Sequence, residues 1–175
     1  PVSRAPRTSS KEIRDHLGIP QRAKTVLITM GGIPERHSFL DRLLEIKNVT
    51  FIIPGASRTM RRQDNLILLP HRSQFYHPDL MNAVDAAIGK AGYSTVAEVY
   101  RAGIPFGFVQ REKFREARIM TRFIQKQMHG VEISAAQFES GEWLSILPDL
   151  LASPRIDRRE PNGAEQVARF IATPR

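Results

Sequence analysis

Apolar residues in this chain fall into two alternating arrangements. One is the short, nearly continuous run: Lys24-Thr-Val-Leu-Ile-Thr-Met30, Val49-Thr-Phe-Ile-Ile53, Leu66-Ile-Leu-Leu69, Asp85-Ala-Ala-Ile88 and Pro105-Phe-Gly-Phe-Val109. Runs of this length, rich in β-branched residues and bounded by turn formers, predict strands buried on both faces. The other is a longer stretch with helical spacing, which predicts helices over 35–46, 77–83, 94–102 and 114–128. Ser9-Ser-Lys-Glu12 opens a further capped helix that closes at Gly18, with Ile19-Pro20 beyond it. Pro34 suits the first turn of the 35–46 helix. From Ser134 onward the pattern is helical in pieces: 135–138, 142–151 and 164–172.

Strand and helix alternate, so the expected fold is α/β, a Rossmann-like doubly wound parallel sheet with helices on both faces. In such a sheet the ligand crevice lies at the carboxyl ends of the strands. Neither an internal repeat nor a low-complexity segment interrupts the pattern.

At 175 residues the chain has the length of one domain. Residues 1–20 read as a linker and short leading helix, because the prolines and arginines of Pro1-Val-Ser-Arg-Ala-Pro-Arg7 cannot nucleate an element. Residues 21–175 read as the domain itself. The absence of an initiator methionine suits an excised piece of a longer protein. Having no cysteine, the chain can build neither a disulfide framework nor a thiolate metal site. His71, His77 and His129 stand singly, without ligand spacing, so no metal is expected. No apolar run reaches membrane-spanning length and no signal-peptide pattern opens the chain, so a cytoplasmic setting is expected.

The net charge of +8 raises nucleic acid as a partner. Basic residues cluster in Arg58-Thr-Met-Arg61-Arg62, from Arg111 to Arg118, and in Arg155-Ile-Asp-Arg158-Arg159. None of these runs carries aromatic interleaving, and no helix-turn-helix or RNA-binding signature accompanies them, which argues against nucleic acid. A positive field also suits a small dianionic ligand or an anionic membrane surface.

Candidate chemistry concentrates in Asp85-Ala-Ala-Ile-Gly-Lys-Ala-Gly-Tyr-Ser-Thr-Val-Ala-Glu98. It reads as strand, glycine turn and helix, with Ser94 and Thr95 where the helix starts and Glu98 one turn further in. A helix N-terminus presents unpaired N–H groups and a partial positive charge, so it can hold a phosphate. Glu98 lies three residues from Thr95 and four from Ser94, on nearly the same helix face. A diphosphate at the helix tip would leave an attached ribose within reach of that carboxylate. A second reading needs no ligand: Thr95-Val-Ala-Glu98 is also a capping box, like Ser9-Ser-Lys-Glu12 and Ser134-Ala-Ala-Gln137.

Lys90-Ala-Gly-Tyr-Ser-Thr-Val-Ala-Glu98 resembles the donor-binding signature of nucleotide-sugar glycosyltransferases with the two-domain GT-B fold. Plant small-molecule glucosyltransferases write it His-Cys-Gly-Trp-Asn-Ser-x-x-Glu. The GlcNAc transferase family that makes lipid II has a similar Arg-Ala-Gly-x-x-Thr-x-x-Glu. The run from Asp85 to about Gln127 also resembles the glycosyltransferase-like part of plant L-arabinokinases, with its Gly-Lys-x-Gly-Tyr-x-Thr-x-x-Glu. The resemblance implies a single GT-B half-domain that binds a nucleotide-diphosphate sugar, UDP-linked above others, with no cofactor and no dedicated metal motif. It assigns the donor to Lys90, Ala91, Gly92, Tyr93, Ser94, Thr95 and Glu98.

Lys90 takes the place of the His or Arg and would put positive charge near a phosphate. Tyr93 stands where the plant motif has Trp, and would pack in the turn or against ligand. Gly31 and Gly32, between the first strand and its helix, would let backbone approach the donor phosphates, or simply make a tight turn. After Gly103-Ile-Pro105 the family commonly places an acidic residue and a glutamine on the sugar hydroxyls. Here Glu116 can fill the acidic position, while Ala117 replaces the glutamine, which leaves the sugar open.

The resemblance further implies an N-terminal acceptor domain, or a separate acceptor-domain chain, that carries the general base. Without it the chain would bind donor and catalyse nothing. Two other roles stay open: a non-catalytic binding or assembly module, and a regulatory domain linked to a sugar kinase.

Overall fold

The computed structural model describes residues 1–30, 39–110 and 114–172. Its strands are β1 (Lys24–Thr29), β2 (Val49–Ser57), β3 (Arg61–Gln63), β4 (Leu66–Pro70), β5 (Ala86–Lys90), β6 (Phe106–Val109) and β7 (Gly130–Ile133). They form one sheet in the order β3-β4-β2-β1-β5-β6-β7. Every pairing is parallel except β3 with β4. The order reverses at the β1–β5 pair, since β2 and β4 lie to one side and β6 and β7 to the other. At such a switch point the connections leave in opposite directions, and a crevice opens at the carboxyl ends of the two strands.

The helices are α1 (Ser10–His16), α2 (Leu40–Leu44), α3 (His77–Ala83), α4 (Tyr93–Ala102), α5 (Ala117–Gln127), α6 (Ala135–Ser140), α7 (Leu147–Ala152) and α8 (Gly163–Ala172). They cover both faces because strand side chains alternate between them. Leu27, Ile52 and Ala87 point to the face where Ile13 of α1, Leu80 of α3, Val99 of α4 and Ile124 of α5 pack. Val26, Ile28, Phe51, Ile53 and Ile88 point to the other, against Leu43 of α2, Phe138 of α6 and Leu150 of α7. There Phe39 meets the Phe138 and Trp143 rings edge-on, at 5.1 and 5.4 Å between centroids. Arg14 ties α1 to the sheet: its buried guanidinium donates to the carbonyls of Ala83, Pro20 and Ala23.

Two strands run against the expectation from hydrophobic pattern. All three residues of β3 are exposed and polar, and in β7 only Ile133 is buried. Both are edge strands held by backbone pairing with one neighbour, so no apolar run announces them. The stretch expected as one helix from 142 to 151 begins as a 3-10 turn, Glu142–Ile146, before α7, which carries a proline in its first turn. Among the described residues of the expected 35–46 helix, only Leu40–Leu44 is helical. No helix among the described residues is long and apolar enough to cross a membrane.

Candidate functional site

The β5–α4 turn lies at the switch point. Gly89, paired with Thr29, brings the two strands together so closely that a Cβ on it would stand 1.9 Å from the Thr29 carbonyl oxygen. Lys90 ends β5 beside Val109, and the Ala91 N–H donates to the Val109 carbonyl at 2.9 Å. Gly92, in extended backbone, is the N-cap, and the first bond of α4 runs from Val96 N–H to the Gly92 carbonyl at 2.9 Å. Glycine has no side chain to cap the helix. The N–H groups of Tyr93, Ser94 and Thr95 therefore leave its tip without a hydrogen-bond partner among the described residues. Tyr93 is 59% exposed and does not fill the turn.

This geometry removes the capping-box alternative for Glu98. α4 begins at Tyr93, one residue before the expected start, so Thr95 sits inside the helix rather than at its cap and its side chain caps nothing. The other two signatures do cap: Ser9 accepts from Glu12 N–H, and Ser134 and Gln137 form a full reciprocal box.

Glu98 instead holds three elements together. Its side chain is 2% exposed. Oε1 accepts two bonds from the Arg4 guanidinium, from Nε at 2.9 Å and Nη2 at 2.7 Å. Oε2 accepts from His77 Nδ1 at 2.6 Å. A carboxylate can only accept, so Nδ1 carries a proton, and in the neutral ring Nε2 then accepts from the Thr29 hydroxyl, 3.2 Å away. A chain of polar contacts thus runs from the carboxyl end of β1, through the first residue of α3, to α4 and the N-terminal segment.

Burial pushes the Glu98 carboxyl up, but the hydrogen bonds and charges of His77 and Arg4 outweigh it and hold it below its ordinary value of 4.5. A depressed carboxyl stabilises the fold above the unfolded-state value and loses that contribution as pH falls through the folded one. We expect the melting temperature to drop as pH is lowered past 4.5. A Glu98→Gln variant should show a shallower acid slope over that window. Equal slopes in thermal melts of the two proteins would mean that Glu98 does not carry the acid sensitivity.

Of the residues expected at a donor site, Lys90, Ala91, Gly92, Tyr93, Ser94, Thr95 and Glu98 lie on one turn and the helix it opens. Glu116 is exposed at the start of α5, on the loop after β6, one strand over along the same sheet edge. Gly31 and Gly32 lie outside the described residues. His77, which its sequence spacing marked as a lone histidine, proves to be a partner of Glu98, and Arg4 of the leading segment is another. Their signal was weak: His77 precedes a proline at a helix start, and Arg4 is 94 residues from its carboxylate.

A parallel sheet whose strand order reverses at its centre, with helices on both faces, is a Rossmann-like doubly wound fold. Solved structures match it. The glycotransferase of kitacinnamycin superposes with a TM-score of 0.58 at 11% identity, over 75% of this chain and 35% of that one. SnogD from Streptomyces nogalater, a glycosyltransferase, gives 0.54 at 14% identity over 98% and 49%. The spinosyn forosaminyltransferase SpnP gives 0.54 at 17% identity over 89% and 40%. The chain thus has the α/β fold found within GT-B glycosyltransferases, and spans under half of each. In sequence it is similar to L-arabinokinase of Arabidopsis thaliana, 29% identical over 163 residues. That alignment covers 93% of this chain and 15% of the kinase. No family model matches.

Proposed function

We propose that residues 21–175 are the donor-binding half of a glycosyltransferase-like protein and take a nucleoside-diphosphate sugar, UDP-linked above others. The observation that carries this reading is the N-terminus of α4 at the switch-point crevice, which no side chain among the described residues caps, with Lys90 at the end of the strand before it. Three N–H groups with no partner among the described residues, together with the helix dipole, suit a diphosphate. In transfer they would stabilise the leaving diphosphate, where negative charge develops. Glu98 would accept from the ribose hydroxyls, and Glu116, on the β6 side, would meet the sugar. The acceptor and the general base would come from a second domain or chain. A cytoplasmic setting fits the absence of cysteine from the chain.

The likeness to L-arabinokinase supports a second reading, in which the same fold serves a sugar kinase as a regulatory domain. Titration calorimetry with UDP, GDP, TDP and ADP separates the two. We expect one nucleoside diphosphate to bind with a Kd between about 1 mM and about 1 μM, roughly 4–8 kcal/mol. Binding of free L-arabinose with no response to any of the four nucleotides would favour the kinase-linked reading instead.

A further inference from the structure

A ribose diol donates two hydroxyl hydrogens, and a single carboxylate oxygen, with its two lone pairs, can accept both when no other donor holds it. In Glu98 neither oxygen is free. Oε2 is held by His77 and Oε1 carries both donors of the Arg4 fork, leaving the carboxylate 2% exposed. We infer that Arg4 is a specificity-determining residue of the nucleotide site: its guanidinium occupies the carboxylate oxygen that a ribose needs, and a ribose-bearing ligand binds by displacing it. This rests on the nucleotide-binding reading above.

The two partners of Glu98 differ in how easily they leave. His77 is fixed by the start of α3 and by Thr29 on its other nitrogen. Arg4 is 54% exposed, on a segment without secondary structure, where local opening costs little. Water can solvate the released guanidinium, and a cavity of about 260 Å³ beside it, lined in part by Ala5, Pro78 and Asn82, gives it space to swing.

Release need not detach the segment. The Arg7 and Thr8 N–H groups donate to Asp79 Oδ1 at 2.5 and 3.2 Å, and the Arg7 guanidinium lies 4.0 Å over the Tyr76 ring. On the other side Ser3 exchanges two hydrogen bonds with Asn162, at 3.3 and 2.7 Å. Held at both ends, Arg4 stays at high effective concentration near Glu98 and returns when the ligand leaves. It therefore competes with ribose and not with diphosphate, which sits at the helix tip.

The test compares wild type with Arg4→Met, which removes both donors and keeps the stem, using UDP and 2′,3′-dideoxy-UDP as probes in calorimetry. UDP should bind the variant about two- to fivefold more tightly, the range expected for losing a half-exposed ion pair. The dideoxy probe, which has no diol to compete, should bind both proteins alike. If Arg4→Met does not fold, Arg4→Lys gives the same test with a smaller gain, because one ammonium cannot reproduce the fork. Equal UDP affinity in wild type and variant overturns the inference while leaving the nucleotide site standing. Weaker UDP binding in the variant also overturns it, by making Arg4 a ligand contact. Absence of UDP binding to either protein overturns the nucleotide reading and this inference with it.

Discussion

Gly103→Ala should destabilise the protein by roughly 2–5 kcal/mol. Gly103 closes α4 in the left-handed region, at φ 67° and ψ 15°, and its N–H donates to the Tyr100 carbonyl at 3.0 Å. An alanine there costs about 1–2 kcal/mol from the clash of Cβ with backbone alone. The surroundings add more: a Cβ at this position would stand 1.9 Å from the Ile156 carbonyl oxygen. That contact is with main chain, so no rotamer change relieves it. The segment cannot retreat without breaking the bond from Ile156 N–H to the Gly103 carbonyl, 2.7 Å long. Overpacking of this kind costs about 1–3 kcal/mol, which gives the upper part of the range. Urea titration at constant m-value reads the effect as a shift in midpoint. A loss of no more than about 1 kcal/mol would leave only the left-handed penalty, and would mean that the segment around Ile156 yields freely.

What the sequence made legible was whatever apolar patterning dictates. The buried parallel strands, the helices between them and the turn between β5 and α4 follow from runs and spacings that have few other stable solutions. The edge strands β3 and β7 did not announce themselves, since Arg61-Arg62-Gln63 and Gly130-Val-Glu-Ile133 owe their form to neighbours and not to their own side chains. Capping was half legible. Ser9 and Ser134 cap as their spacing suggests, whereas at α4 a glycine took the cap and left Thr95 inside the helix.

The candidate site shows the same division. The local part, Lys90 to Glu98, could be read because it is contiguous. The long-range part could not. His77 reaches Glu98 across 21 residues and Arg4 across 94, and nothing in spacing or composition links a leading arginine to a helix in the middle of the chain. Only the packing of α3 beside α4, with the N-terminal segment crossing both, brings them together. A buried carboxylate nonetheless demands partners, so its neighbours could be sought once its burial was known.

Glu98→Ala should separate its two possible duties, brace and ribose contact. As a brace, its loss leaves the His77 Nδ1–H without its acceptor, while Arg4, already half in water, regains solvent. Stability should therefore fall by about 1–3 kcal/mol, most of it from the His77 side. No part of this is loss of a helix cap, because Gly92 fills that position. As a ribose contact, its loss should weaken UDP binding by roughly 1.5–3 kcal/mol, the worth of a hydrogen bond to a charged group. Displacement of Arg4 offsets part of that contact in the wild type, which places the expected value toward the lower end. The dideoxy nucleotide should bind the wild type more weakly than UDP and should not respond to the substitution. Melting temperature and affinity measured on the same variant give both numbers. If UDP and its dideoxy analogue bind the wild type alike, Glu98 only joins α3, α4 and the N-terminal segment. The helix tip would then bind its diphosphate without reading the sugar attached to it.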